Sequence, residues 1–286
     1  MLKVINYFFQ SIIIYLFFLI GKILGIKISR KLFSFLFLLA GPTFKSKNII
    51  INNLNIFLKK QPALNKEKII LDMWKNYGKT FIEYVFLNDL RNNESSFTVT
   101  GETNLLEATQ KNKPVIFISG HFANFEMMSM VISKKKIPLA IIYRPLNNIF
   151  LNPFMEFLRK KYICSHQVKK GINGVREAID FIKKKHSIAL MIDQRVSEGE
   201  KINFFDEKAL TTTFPAQLSN KFNLDIIPVF IERDENDNFK IEFQKPIKAK
   251  AFKNKLELTK ELNRVLEKMI IRNPGQWIWT HNRWKQ

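Results

Sequence analysis

The chain has 286 residues, a hydrophobic content of 46% and a formal net charge of +21 at pH 7. This hydrophobic content excludes a disordered chain, and the length suits one large domain or a domain with an appendage. The basic charge predicts acidic partners, a class that includes nucleic acid, anionic lipid and acidic proteins. A single cysteine, Cys164, excludes an internal disulfide, and no Cys/His cluster has zinc-site spacing.

The amino-terminal segment is long, apolar and free of charge. From Val4 to Gly21 it runs VINYFFQSIIIYLFFLIG, eighteen residues without a charged side chain. At about 1.5 Å of rise per residue, this helix barely matches a bilayer core of roughly 30 Å, so it either spans the membrane or lies deep in one leaflet. No small-x-small cleavage site follows it, which favours an uncleaved anchor over a signal peptide.

Basic residues surround this segment. No acidic residue precedes Glu67, whereas ten Lys and Arg residues do. A second apolar stretch, Leu32 to Ala40, is too short to cross a bilayer and is expected to lie along its interface. The positive-inside rule places the remainder of the chain in the cytoplasm. We therefore expect a membrane anchor with an interfacial helix in residues 1–45 and a single domain in residues 46–286.

The rest of the chain alternates between helical and strand-like patterns. Asn65 to Leu90 has apolar residues at three- and four-residue steps and predicts a long helix. The later runs PVIFIS, SIALMI and DIIPVF are apolar on successive residues, as in strands buried on both faces, whereas the alternation of FKIEFQK predicts a half-exposed edge strand. The order indicates an α/β fold with a mixed, largely parallel sheet flanked by helices, preceded by the N-terminal membrane-anchoring helical segment.

Polar residues follow three of the predicted strands. His121 comes just after PVIFIS, Arg144 closes PLAIIY, and Asp193 and Gln194 follow SIALMI. Ligands of open α/β sheets bind beyond the carboxyl ends of the strands, so these residues are expected to converge at one edge. This convergence is the strongest physical indication of a site.

His121 lies in the stretch ISGHFANFE, five residues before Glu126. In one regular helix the two side chains would be about 140° apart, so they can meet only if His121 lies in a strand-to-helix turn, which Gly120 permits. A carboxylate on one ring nitrogen would fix the tautomer and leave the other nitrogen to accept a proton. The alternative is a structural histidine, with Glu126 placed favourably in the first turn of a helix.

Nothing in the sequence supports a protein nucleophile. There is no G-x-S-x-G elbow, and Ser119 lies on a strand predicted to be buried. A base without its own nucleophile implies that a substrate hydroxyl or water attacks. Near a membrane and with anionic partners, the chemistry that fits is acyl transfer to a lipid hydroxyl. The rival from another class is a non-catalytic, membrane-anchored basic protein that binds anionic lipid or nucleic acid.

Four ordered motifs, HFANFE, YRP (143–145), MIDQR (191–195) and PGQWIWTHNRW (274–284), together resemble the bacterial lipid A late acyltransferases. These lauroyl/myristoyl transferases belong to the lysophospholipid-acyltransferase-like superfamily, and the resemblance covers nearly the whole chain. It implies an inner-membrane enzyme whose catalytic domain faces the cytoplasm. The implied reaction moves a fatty acyl chain from acyl carrier protein to a hydroxyl of a phosphorylated lipid A precursor, with no metal, organic cofactor or nucleic acid.

The resemblance also assigns residues. His121 matches the general base, Glu126 its carboxylate partner, and Arg159 the basic residue near the acceptor. The other substrate-binding positions it implies are Asn124, Phe125, Arg144, Asp193 and Gln194. Related enzymes acylate other glycolipids, including phosphatidylinositol mannosides, so a different lipid or glycolipid acceptor is the alternative. The Phe-Pro-Glu-Gly-Thr-Arg block of glycerol-phosphate acyltransferases is not found, which argues against lysophosphatidate as acceptor.

Overall fold

A computed structural model describes residues 2–110 and 113–285. The helices are α1 (Leu2–Phe44), α2 (Lys47–Lys60), α3 (Lys66–Glu83), α4 (Leu87–Asn92), α5 (Glu102–Thr109), α6 (Glu126–Lys134), α7 (Asn152–Tyr162), α8 (Ile172–Lys183), α9 (Phe214–Phe222) and α10 (Lys255–Arg272). The strands are β1 (Phe97–Thr100), β2 (Ile116–Ser119), β3 (Leu139–Tyr143), β4 (His166–Lys169), β5 (Ser187–Met191), β6 (Glu200–Phe204), β7 (Glu207–Thr211), β8 (Ile226–Arg233) and β9 (Phe239–Phe243).

A seven-stranded sheet forms the centre of the molecule, in the order β1-β9-β8-β2-β5-β3-β4. Its neighbouring strands pair in parallel except β8 and β9, which are antiparallel. Strands β6 and β7 form a separate antiparallel ribbon. The three runs that are apolar on successive residues form β2, β5 and β8 at the middle of the sheet, where both faces are covered. The predicted fold class, a mixed and largely parallel sheet flanked by helices, is confirmed.

Two of the predicted elements differ from the structure. Strand β9 was expected at an edge but lies between β1 and β8. Its side chains do alternate, since Phe239 and Phe243 are buried and Lys240 is exposed. Alternation indicates which face of a strand is covered, but it does not indicate whether the strand has one neighbour or two. The helix predicted from Asn65 to Leu90 is divided, because a short 3₁₀ turn separates α3 from α4.

Helix α1 is broken at Gly25, whose φ of 74° and ψ of 162° are not helical. The rings of Phe17 and Phe33 are only 5.6 Å apart, centroid to centroid. Sixteen residues of a straight helix would separate them by about 24 Å, so the chain reverses at Gly25. The part before it (2–24, the first arm) and the part after it (26–44, the second arm) lie side by side, with the Ser29 hydroxyl donating to the carbonyl of Gly21 at 2.8 Å.

The second arm packs closely on α3. At Gly78 the two backbones approach so closely that a Cβ atom would lie 2.1 Å from the carbonyl oxygen of Phe33. One turn further along, the ring of Phe37 packs against Tyr77 at 5.9 Å and against Phe81 at 5.3 Å. The second arm is therefore part of the folded body of the protein, and α3 is the element that holds it.

We expect Gly78→Ala to separate α3 from the second arm. The new methyl group would overlap a backbone carbonyl that cannot rotate away, so the loss should reach or exceed the roughly 1 to 3 kcal/mol typical of overpacking. The measurement is the thermal unfolding midpoint of the detergent-solubilised protein. Lys75→Ala is the control, because Lys75 is exposed on the same helix. Equal midpoints for the two variants would contradict the close packing.

Candidate active site

Sheet register brings His121 and Asp193 together. Strands β2 and β5 are parallel neighbours, with Ser119 opposite Met191. The pairing continues for one more step, since the amide of Ile192 donates to the carbonyl of Ser119 at 2.9 Å. His121 and Asp193 each lie two residues beyond the Ser119–Met191 pair, so the two side chains emerge side by side at the carboxyl edge of the sheet.

Asp193 binds His121 twice. Its Oδ1 lies 2.7 Å from Nδ1 of the His121 ring, and its Oδ2 accepts the backbone amide of His121 at 2.8 Å. Oδ2 also accepts the indole N–H of Trp277 at 2.9 Å. The carboxylate is therefore fixed by three donors and is only 3% exposed.

The charge state of Asp193 follows from these contacts. Burial raises the pKa of its carboxyl group, but the positive charge of a protonated His121 and the hydrogen bonds outweigh burial and hold that pKa at about 2. Asp193 is thus ionised at neutral pH and can only accept hydrogen bonds. Nδ1 of a neutral His121 ring must carry the hydrogen, which leaves Nε2 to accept a proton.

The expected contact between Glu126 and His121 is wrong, because Asp193 lies where Glu126 was predicted to lie. Glu126 is the first residue of α6, and its Oε1 instead accepts the hydroxyl of Tyr84 at 2.7 Å and Nε of Arg159 at 2.6 Å. Residues 122–125 form a turn, with Ala123 at a φ of 45°, after which the Glu126 side chain is directed towards α7. Spacing along the chain suggested the wrong carboxylate, whereas the register of the neighbouring strand selects the right one.

Arg159 forms a buried ion pair with Glu126. Its guanidinium lies over the rings of Tyr84 and Tyr143, at 5.7 and 5.8 Å from their centroids, and Nη2 donates to the Tyr84 hydroxyl at 3.1 Å. Burial lowers the pKa of Arg159, but the charge of Glu126 outweighs it and the pKa is raised. Nη1 has no hydrogen-bond partner among the described residues. The pair joins α6 to α7 and leaves one buried guanidinium nitrogen without a partner among the described residues.

Asn124, predicted to bind substrate, is instead fully buried in the protein. Its side-chain N–H₂ group donates to Oε2 of Glu83 at 2.9 Å, and its side-chain oxygen accepts the amide of Glu126 at 3.3 Å. Both ends of the amide are therefore used internally. This arrangement supports a role in holding the 121–126 loop rather than in touching a substrate.

Glu83 is a buried carboxylate that no sequence motif indicated. It accepts Nε of Arg30 at 2.7 Å, two nitrogens of Arg233, and the amide of Asn124. Burial raises the pKa of Glu83, but the two arginines outweigh it and the pKa is lowered. This carboxylate thereby connects the second arm of α1, helix α3, strand β8 and the 121–126 loop.

A polar stripe on α3 is the signal that would have found this group. Asn76, Thr80 and Glu83 recur at helical spacing and are all buried. The Thr80 hydroxyl donates to the carbonyl of Ala123 at 2.8 Å, and the Asn76 amide reaches the same carbonyl at 3.4 Å. Polar residues on the covered face of a helix need partners, and here those partners belong to the loop that carries His121.

The remaining predicted residues surround His121 less closely. The ring of Phe125 packs edge-on against the His121 ring, with centroids 4.5 Å apart. Arg144 is exposed at the end of β3, and Gln194 is half-buried next to Asp193. They share the carboxyl edge of the sheet, as predicted, but no hydrogen bond ties Arg144 or Gln194 to His121 among the described residues.

The segment 274–284 closes one side of the site. The amide of Ala123 donates to the carbonyl of Gln276 at 2.9 Å, and Phe122 forms an antiparallel bridge with Trp277. His281 accepts the amide of Arg195 through Nε2 at 2.9 Å. Burial lowers the pKa of His281, and the negative charge of Asp193 opposes that shift. The segment therefore contributes both a donor to Asp193 and a second imidazole near it.

Ser119 and Cys164 both have structural surroundings and are poor candidates for a nucleophile. The Ser119 hydroxyl is buried and donates to the carbonyl of Val229 at 2.7 Å. Cys164 is buried, and burial raises the pKa of its thiol, so little thiolate forms at neutral pH. The arrangement therefore matches a base that activates a hydroxyl supplied from outside the protein.

The chain is similar to curated proteins and to a solved structure. The chain is 26% identical over 255 residues to the lipid A biosynthesis palmitoleoyltransferase of Escherichia coli (strain K12) and, equally, to a lipid A biosynthesis acyltransferase of Shigella flexneri. Each alignment covers 86% of this chain and 81% of the relative. The crystal structure of the 1-acyl-sn-glycerophosphate (LPA) acyltransferase, PlsC, from Thermotoga maritima aligns with 89% of this chain and 100% of its own, at a TM-score of 0.42 and 15% identity.

The family model described as bacterial lipid A biosynthesis acyltransferase matches residues 1–286. It therefore spans helix α1, the sheet, both residues of the His121–Asp193 pair and the 274–284 segment. This full-length match shows that the chain belongs to the bacterial lipid A biosynthesis acyltransferase family, and that it is an acyltransferase.

Proposed function

We propose that the protein is a membrane-bound O-acyltransferase that moves a fatty acyl chain from acyl carrier protein to a hydroxyl of a lipid A precursor, with His121 as general base. The observation that carries the mechanism is the 2.7 Å contact between Nδ1 of His121 and the buried, ionised Asp193. Family membership supports the lipid A pathway. The alternative acceptor is another lipid or glycolipid with a free hydroxyl.

The reaction proceeds by direct attack. Nε2 of His121 takes the proton of the acceptor hydroxyl while the oxygen of that hydroxyl adds to the thioester carbonyl of the donor. The tetrahedral intermediate then breaks its C–S bond, and the imidazolium returns the proton to the departing thiolate. The products are an ester and a free thiol, and His121 is regenerated. Asp193 keeps the ring oriented and stabilises the imidazolium while the proton resides there.

Glu126 and Arg159 act beside this pair as positioning and binding groups. Glu126 holds the guanidinium through Nε, and Nη2 donates to Tyr84. Nη1 is buried without a partner among the described residues, and it is the nitrogen that we propose for a substrate oxygen. A planar guanidinium suits a phosphate or carbonyl oxygen because its donors are fixed in direction. Exposed Arg144, at the end of β3, adds positive charge at the same edge.

The proposed location is the cytoplasmic face of the inner membrane. The first arm of α1 is apolar enough to enter a bilayer, and ten Lys and Arg residues precede the first acidic residue. The positive-inside rule then favours a cytoplasmic domain. An acyl carrier protein is acidic, and the net charge of +21 should attract it over a distance set by the ionic strength.

The first test separates the two carboxylates. His121→Ala should lower the transfer rate by at least the roughly 10² to 10⁴-fold associated with general base catalysis. Asp193→Asn should also be strongly impaired, because an asparagine N–H₂ can force the wrong tautomer on the ring, and the double variant should be little worse. Glu126→Gln should reduce the rate without changing the pH dependence that Asp193→Asn alters.

Rates are measured at saturating substrate concentrations, and circular dichroism confirms that each variant is folded. A His121→Ala protein with a normal rate would disprove the assignment of His121 as the base.

A second test addresses Arg159. Arg159→Lys keeps the charge but cannot bond Glu126, Tyr84 and a substrate oxygen at the same time, so the rate at low acceptor concentration should fall by about tenfold or more. The donor's KM should change little. Arg176→Lys is the matched control, since Arg176 is exposed on α8. Unchanged acceptor kinetics in Arg159→Lys would remove Arg159 from acceptor binding and leave the His121 proposal intact.

The donor and acceptor are tested together with purified substrates. Acyl carrier protein should be a faster donor than acyl-coenzyme A at low salt, and its advantage should shrink as salt rises, because screening weakens long-range attraction. Initial rates at several ionic strengths measure this effect. A mass spectrum of the lipid product identifies the acceptor and the chain transferred. Equal rates with both donors at every salt concentration would remove the carrier protein from the proposal.

A further inference from the structure

A second apolar surface lies outside the anchor helix. The stretch between β3 and the middle of α7, residues 146–157, exposes four large apolar side chains, which are Leu146, Ile149, Phe150 and Phe157. Ile149 is 58% exposed and Phe157 53%. Single exposed apolar residues are ordinary, but such a cluster on one short stretch indicates an interaction surface. We refer to residues 146–157 as the β3–α7 segment.

This segment is bound to the amino-terminal half of the first arm. The amide of Asn148 donates to the carbonyl of Tyr7 at 2.8 Å, and the rings of Phe8 and Phe150 meet edge-on at 5.5 Å. About two turns later the Tyr15 hydroxyl donates to the carbonyl of Phe150 at 2.8 Å. The segment and the first arm thus form one continuous surface.

The rest of the first arm also lies along the domain. Phe18 packs on Phe81 of α3 at 5.1 Å, and Nζ of Lys22 contacts Asp89 of α4 at 2.7 Å. Contacts from Tyr7 to Lys22 extend over about 22 Å of helix. A helix held to the folded domain over that length cannot cross a bilayer core of about 30 Å upright unless the domain is drawn in with it.

The first arm also carries an exposed apolar stripe, made of Val4, Ile5, Phe8, Phe9, Ile12, Ile13, Leu16, Leu19 and Ile23. The charged side chains Lys160 and Lys161 on α7 are exposed next to Phe157. An apolar surface bordered by lysines is the pattern of a protein face that lies in the interface of an anionic bilayer.

We propose that the β3–α7 segment is a second membrane-contacting element, and that it enters the same leaflet as the exposed stripe of the first arm. The first arm then lies within one leaflet and does not cross the bilayer. Continuity of the two surfaces through Phe8 and Phe150 selects lipid as the occupant. This inference rests on the membrane attachment of the proposed function and is independent of the acyl-transfer chemistry.

A groove lies beside the β3–α7 segment. Arg159 lies on α7, two residues after the exposed Phe157, and its neighbour Leu158 lines a groove of about 490 Å³ between α7 and the first arm. Phe18, Leu19 and Phe154 also line this groove. Apolar side chains of both the first arm and α7 therefore line this groove.

Site-directed fluorescence tests the depth of the segment. A single environment-sensitive label is attached to Ile149→Cys, Phe157→Cys or Leu16→Cys in the full chain, and Ile172→Cys is the control because Ile172 is 80% exposed on α8. Cys164 is buried, and unlabelled wild type measures its background. In vesicles of phosphatidylethanolamine and phosphatidylglycerol, labels at positions 149, 157 and 16 should shift to the blue and be quenched by nitroxide lipids. The label at position 172 should do neither.

Activity supplies the second readout. Ile149→Asp with Phe157→Asp should lower the rate severalfold on acceptor embedded in vesicles but not on acceptor dispersed in detergent, because a charge in the leaflet is unfavourable only when a leaflet is present. Leu106→Asp is the control, with Leu106 61% exposed on α5.

The outcomes separate the two proposals. Water-like emission at positions 149 and 157 with a quenched label at position 16 overturns the inference and leaves the anchor in place. Water-like emission at all three positions overturns membrane attachment itself. A label at Val4→Cys that reacts with an impermeant reagent only from the side opposite the domain would show a crossing helix and also overturn the inference.

Discussion

One carboxylate shared by two guanidinium groups holds this protein together. Glu83 has no exposed surface and takes hydrogen bonds from Arg30, Arg233 and Asn124. An ion removed from water is costly unless its partners remain, so breaking such a buried group commonly loses about 3 to 5 kcal/mol. The four parts of the chain that supply these residues are therefore fixed with respect to one another, and the loop that carries His121 is one of them.

The site contains two carboxylates with different partners, Asp193 and Glu126, because different elements of the fold position them. Asp193 reaches His121 through the register of β2 and β5, the most covered part of the sheet. Glu126 starts α6 and is bound to Arg159 of α7. The first arrangement determines which nitrogen of the neutral imidazole carries the proton. The second joins the 121–126 loop to α7, the helix that extends towards the proposed lipid face. Glu83 lies behind both, since Asn124 hydrogen-bonds Glu83 and the amide of Glu126.

The sequence predicted those elements whose pattern of apolar residues depends directly on burial. Continuous apolar runs located β2, β5 and β8, and the rule for strand ends brought His121, Arg144 and Asp193 to one edge. It failed where the answer depends on register or direction. The spacing of His121 and Glu126 could not reveal that Asp193 lies opposite in the next strand, and the polar stripe on α3 has meaning only once its partners are known. The eighteen uncharged residues predict the length of an apolar helix, but they do not predict that the chain reverses at Gly25.

The indole of Trp277 has a consequence for the order in which the molecule is assembled. Residues 274–284 follow every strand in the chain, yet Trp277 supplies a donor to Asp193 and Gln276 pairs with the amide of Ala123. On the ribosome, the apolar arm emerges long before this segment, so attachment to lipid can precede completion of the catalytic edge. Until the segment docks, Asp193 lacks one of its three donors and the 121–126 loop lacks its outer partner. The order of residues along the chain thus means that the proposed catalytic edge is completed last, after the apolar first arm has already become available to the membrane.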